Sequence, residues 1–120
     1  MTTIQPVIIT PDLDRLLGFY TSIFEAVETS RVPQEGGGTF YVGVRIGDSD
    51  LGLVAVADAE TGTAGRILLS VDVDDVDLVL DRIETHGGRT RGRPNDMPWG
   101  QRVAHVEDPD GNAVNLTQPI

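Results

Sequence analysis

Val7-Ile8-Ile9-Thr10-Pro11-Asp12-Leu13-Asp14 lines up with Ile67-Leu68-Leu69-Ser70-Val71-Asp72-Val73-Asp74, and each copy reads as a buried strand running into a capped helix. In the first copy Thr10 or Asp12 is placed to cap, Pro11 suits the first turn, and Leu13, Leu16, Leu17, Tyr20 and Phe24 recur at helical spacing. In the second, Asp72 or Asp74 caps, and Asp75 and Asp77 complement the positive end of the helix. Val76, Val79, Leu80 and Ile83 make its apolar stripe before Gly87-Gly88 stops it. Helices are expected over about residues 12–25 and 74–86.

Outward from each helix run three short strand-like segments. In the first half they lie near Val27 to Val32, Phe40 to Ile46 and Leu51 to Val56, broken by Gly36-Gly37-Gly38 and by Gly47-Asp48-Ser49-Asp50. In the second half they lie near Arg89 to Arg93, Gln101 to Glu107 and Ala113 to Thr117. Asp108-Pro109-Asp110-Gly111-Asn112 forms the last turn, where proline presets the bend and glycine accepts a positive φ. The chain therefore reads as α+β: two tandem βαβββ modules, residues 1–57 and 66–120, joined by a linker over 58–65 within one domain. Four strands from each half are expected to form a curved mixed sheet around a concave cavity, with the helices on the outer face.

Composition narrows the chemistry. The longest apolar run falls short of the ~18 residues a membrane span needs, and MTTIQPVIIT carries no basic segment of the kind that opens a signal peptide. A cytoplasmic protein is the expectation. Cysteine is absent, which removes thiolate nucleophiles and cysteine-based metal sites. All nine basic residues are arginines, which removes Schiff-base chemistry and any lysine base. With 19 acidic residues and a net charge of -10, the surface repels phosphate backbones and anionic membranes, so neither nucleic acid nor membrane is an expected partner. A cationic small molecule would be attracted by the same charge, which otherwise serves solubility.

The pieces Thr10-Pro-Asp-Leu-Asp-Arg-Leu-Leu-Gly-Phe19-Tyr20, Ile67 to Val73, His86-Gly87-Gly88 and Asp108-Pro109-Asp110-Gly111-Asn112 together resemble the vicinal oxygen chelate superfamily. That superfamily includes glyoxalase I, extradiol dioxygenases, fosfomycin-resistance transferases and bleomycin-resistance proteins. The resemblance covers nearly the whole chain and implies a fold rather than an activity. It further implies that a divalent metal, where one is bound, would sit at positions matching Gln5, Gly52, Arg66 and Asn115. That set departs from the family pattern of His, Glu and occasional Gln. Glycine has no side chain to donate, and arginine stays protonated with no free lone pair. No metal and no cofactor is therefore expected. Proteins of this type commonly pair, so the resemblance also implies a homodimer.

The two histidines do not form a ligand cluster. His86 suits the negative end of its helix, whereas His105 lies in a strand on the same side as Val103 and Glu107 and is either a packed, hydrogen-bonded group or a catalytic base. Glu107 and Asp108 offer oxygens, although carboxylates at a turn usually serve the turn. Arg66 opens the strand Ile-Leu-Leu; inside a cavity it would need an anionic partner, either a ligand or one of the chain's own acids. Gln5 and Asn115 would flank it as neutral hydrogen-bonding groups. Pro98-Trp99-Gly100-Gln101-Arg102 resembles the segment that borders the drug groove of bleomycin-resistance proteins. Trp99 there offers either a stacking face or an anchor for its loop. Phe40 and Tyr41 alternate, and Tyr41 is the one expected to face the cavity.

The expected ligand-binding set is Gln5, Tyr41, Arg66, Trp99, Arg102 and Asn115, with His105 the candidate base. Three readings follow. The first is a metal-independent protein that binds a small molecule in a concave pocket, with antibiotic sequestration as one form. The second is a metal-independent isomerase, lyase or cyclase using His105, Tyr41 or a carboxylate as base, with Arg66 stabilising an enolate-like transition state. The third is a divalent-metal lyase or dioxygenase whose ligands lie elsewhere.

Overall fold

The computed structural model describes residues 3–120. The chain divides between Glu60 and Thr61 into two compact units, each carrying one helix and one mixed sheet. The first unit contains β1 (Val7–Thr10), α1 (Leu13–Phe24), β2 (Val27–Pro33), β3 (Thr39–Ile46) and β4 (Ser49–Ala55). Its strand order is β1-β4-β3-β2, with β1 parallel to β4 and the remaining pairs antiparallel. The second unit contains β5 (Leu69–Asp72), α2 (Val76–Ile83) with a 3-10 turn at Glu84–His86, β6 (Arg89–Thr90), β7 (Asn95–Met97), β8 (Gln101–Glu107) and β9 (Ala113–Pro119). The order there is β5-β9-β8-β6, with β5 parallel to β9 and β7 also pairing with β8.

The pleat sorts every strand into two faces. In the first sheet Ile8, Leu53 and Val42 share a row, as do Leu51 and Val44, and these rows meet the buried side of α1. That side carries Leu13, Leu16, Phe19, Tyr20, Ile23 and Phe24, with the rings of Phe19 and Tyr20 packed edge to face at 5.2 Å between centroids. Asp12 caps the helix by accepting from the Arg15 amide at 3.1 Å. The opposite face carries Val7, Gly52 and Gly43 in one row and Ile9, Val54 and Tyr41 in the next. No helix of this unit covers it: Ile9 is 57% exposed and Val7 50%. In the second sheet Ala104, Val106, Val114 and Leu116 are buried toward Val76 and Ile83 of α2, and His105, Asn115 and Ser70 stand on the other face. Among the described residues no helix is long and apolar enough to cross a membrane.

Three local expectations are corrected. The cap of α2 is Asp75, which accepts from the Leu78 amide at 3.2 Å, while Asp72 instead accepts from the Thr117 hydroxyl at 3.1 Å. Gln118 reaches from β9 to accept from the Val76 amide at 2.9 Å, and this long-range bond fixes where the helix begins. The strand of the second repeat starts at Leu69, so the second copy is displaced toward the C-terminus relative to the first, and Arg66 precedes it. The single strand expected near Arg89 to Arg93 is instead β6 and β7. Gly92, at φ 79°, and Pro94, which has no amide hydrogen, break the ladder between them. At the last turn Gly111, at φ 86°, does two jobs. It takes a left-handed conformation, and a Cβ there would lie 3.0 Å from the backbone of Gly62, whose amide donates to the Asp110 carbonyl at 2.8 Å.

Leu53→Ala, on the helix-covered face, should cost about 2–5 kcal/mol in chemical denaturation, whereas Ile9→Ala, one residue away in the pleat on the open face, should cost less than about 1 kcal/mol. The Arg102 guanidinium bonds directly to Asp96 and holds its carboxyl below the ordinary carboxylate range. A depressed folded value stabilises the fold above the unfolded carboxylate's own titration, and the effect is lost as pH falls through the depressed value. NMR titration should show Asp96 moving upward toward the ordinary range in Arg102→Gln.

Candidate functional site

The open face of the first sheet is built around a bare patch. Gly43 and Gly52 are register partners on β3 and β4, and Val7 lies beside Gly52 on β1. Two facing glycines leave a shallow seat that any side chain would fill. Tyr41, two residues along β3 on the same face, lays its phenol into it. A Cβ on Gly52 would lie 2.9 Å from Tyr41 Cε1 and 3.2 Å from its hydroxyl, and one on Gly43 would lie 3.0 Å from that hydroxyl. The same point above Gly43 is 2.7 Å from Ser30 Oγ and 3.1 Å from Thr29 Oγ1. Gln5 Nε2 donates to the Tyr41 hydroxyl at 3.0 Å. The Pro6 carbonyl accepts from the Gly52 amide at 2.9 Å, which extends the ladder just ahead of β1. The phenol oxygen accepts from Gln5 and keeps its own O–H to donate.

The open face of the second sheet carries a different pair. His105 on β8 and Asn115 on β9 are register partners, and His105 Nδ1 lies 2.7 Å from Asn115 Oδ1. Val103 and Thr117 form the next row on that face, and Thr117 donates to Asp72. Two residues further along β8, Glu107 is nearly buried and ion-paired with Arg91.

The remaining expected residues are placed apart from these pairs. Trp99 is 67% exposed in the turn before β8, and its Nε1 donates to Gln101 Oε1 at 2.9 Å. Arg102 belongs to the α2 side, where its guanidinium bonds Asp96 at 2.7 Å and Asp77 of α2 at 3.0 Å. Arg66 is exposed ahead of β5 and has no hydrogen bond or ion pair among the described residues. Phe40 lies one pleat step from Tyr41 and so off its face. His86 closes the 3-10 turn, where Gly87 provides a left-handed cap.

A divalent metal does not fit the residues at the matched positions. Gly52 offers no donor, and the ring of Tyr41 fills the space above it. Gln5 is turned to Tyr41, Asn115 commits its oxygen to His105, and Arg66 is a cation. Among the described residues no group of three or more His, Asp or Glu side chains gathers to hold an ion. Sequence reasoning missed Gly43, Ser30 and Thr29 around Tyr41, and it named His105 and Asn115 without linking them. In both cases the missing signal is strand register, which brings together residues distant in sequence.

Comparison with known proteins accounts for this frame. Residues 3–116 match the family model described as the Glyoxalase/Bleomycin resistance protein/Dioxygenase superfamily. The uncharacterized protein Mb0911c of Mycobacterium bovis is 27% identical over 126 aligned residues, covering 98% of this chain and 83% of that protein. A glyoxalase/bleomycin resistance protein/dioxygenase family enzyme from Burkholderia phytofirmans superposes with a TM-score of 0.78 at 21% identity, over 97% of both chains. The fosfomycin resistance protein FosX from Listeria monocytogenes superposes with a TM-score of 0.77 at 17% identity, over 100% of this chain and 94% of that one. With a family model spanning nearly its whole length and the paired strand-helix modules described above, the chain belongs to the glyoxalase/bleomycin resistance protein/dioxygenase superfamily.

Proposed function

We propose that this protein binds a small organic molecule on its open sheet face without the help of a metal, with antibiotic sequestration as one form of that activity. The observation that carries the reading is Tyr41 seated over Gly43 and Gly52, with its oxygen bonded by Gln5 and its O–H left to donate. Where a metal would polarise a ligand oxygen, a phenol can offer that oxygen a hydrogen bond worth about 1 kcal/mol. The ligand class this favours carries a carbonyl, carboxylate or phenolate oxygen beside a planar body. In the second unit the exposed Trp99 offers a stacking surface, and the net charge of -10 favours a cationic group on the ligand. In the second unit Asn115, Arg66 and Arg102 are proposed as polar ligand contacts. A homodimer is part of the proposal, supported by the exposed apolar side chains Val7, Ile9, Val27 and Val32 on the first sheet.

A second reading, a metal-free isomerase, lyase or cyclase, draws support from one observation, the imidazole of His105 fixed by Asn115.

The test is a thermal-shift panel run in the presence of a chelator, with planar cationic antibiotics, aromatic carbonyl compounds and small carboxylates. At least one class should raise the Tm. Tyr41→Phe should weaken that ligand about tenfold, and Gly52→Ala, whose Cβ displaces the ring, should weaken it at least as much. A panel in which no compound stabilises the protein until a divalent metal is added would refute the reading.

A further inference from the structure

We infer that His105 is a poised general base, held by Asn115 as the Nδ1–H tautomer with Nε2 free to take a proton from a carbon acid on the open face of the second sheet. The contact is between His105 Nδ1 and Asn115 Oδ1 at 2.7 Å. An amide oxygen only accepts, so the hydrogen in that contact belongs to the imidazole, and in the neutral ring the other nitrogen keeps its lone pair. Nε2 has no hydrogen-bond partner among the described residues. The nearest carboxylate along the strand, Glu107, is already neutralised by Arg91. Asn115 holds the ring through a neutral acceptor, so it orients the base without adding a charge beside it. It is thus a positioning residue, and His105 the group that meets the proton.

The same strand suggests the shape of the acid. Gln101, Val103 and His105 alternate onto one face of β8, and Gln101 holds the indole of Trp99 at the strand's start. A span of roughly 13 Å separates the ends of that row at the usual strand rise. Val103 in the middle of that row is already buried while the imidazole is exposed, so the fitting acid is a small planar molecule that presents one activated C–H at the His105 end. The inference concerns the second sheet and does not depend on the role given to Tyr41, so either can fail alone.

The probe is 5-nitrobenzisoxazole, a planar carbon acid. Nε2 would take the C3 proton, the C–H electron pair would become the third bond of a nitrile, and the N–O bond would break with its electrons leaving as a phenolate, whose absorbance reports the rate. With no lysine in the chain, no competing amine side chain obscures the result. His105→Gln should lower the protein-catalysed rate at least about tenfold, while His86→Gln should leave it unchanged. On the unmodified chain, long-range nitrogen-proton NMR should find the His105 proton on Nδ1. Asn115→Leu should abolish that preference and Asn115→Asp should keep it. A proton on Nε2 in the unmodified chain, or an undiminished rate in His105→Gln, would overturn the inference.

Discussion

Each module of this chain has one helix and one sheet, and a sheet has two faces. That inequality governs the rest of the molecule. Leu53, Val42 and Val44 turn to α1, and Val106, Val114 and Leu116 turn to α2, so most core side chains of the strands are spent on one side, Val103 being a buried exception on the other. The other side of each sheet is left without a helix of its own unit. Its pleat positions are then free to carry side chains chosen for chemistry rather than packing, and Tyr41, Gln5, His105 and Asn115 occupy them.

On the first sheet the open face is organised by two absences. Glycine within a strand weakens it, because it offers no side chain to pack and loses more freedom on folding than any other residue. Here two of them face each other across β3 and β4, and the tyrosine ring lies in the space they leave, shielding the exposed backbone as aromatic side chains do over strand glycines. A donor side chain at position 52 and the ring of Tyr41 cannot share that space. Glycine at position 52 is therefore coupled to the placement of the phenol.

How much of this was readable beforehand depends on the range of the interaction involved. The strand-helix repeat, the helix stripes and the Asp-Pro-Asp-Gly turn are local, and so they are legible in the sequence. The cap of α2 was not: the sequence offered Asp72 or Asp74, and Asp75 takes the role where Gln118 bonds the Val76 amide from the far end of the chain. The division of β6 from β7 was written in Gly92 and Pro94, yet the pairing of Asn95 to Met97 with β8 that follows is tertiary. Within the candidate site the residue types were visible, but not their partners. Gly43 meets Gly52, and His105 meets Asn115, only because the antiparallel registers bring them level. Arg102 could be assigned to either face until Asp77 on α2 claimed it.

The proposal that Tyr41 serves a ligand site without a metal is tested most directly by elemental analysis of the purified, dialysed protein, paired with melts against added nickel, zinc, manganese and iron(II). A cation bound selectively to the native state must raise the Tm by mass action. No stoichiometric transition metal and an unchanged Tm with each ion are expected. About one equivalent of tightly held metal per chain, lost when Gln5 or His105 is replaced, would contradict it.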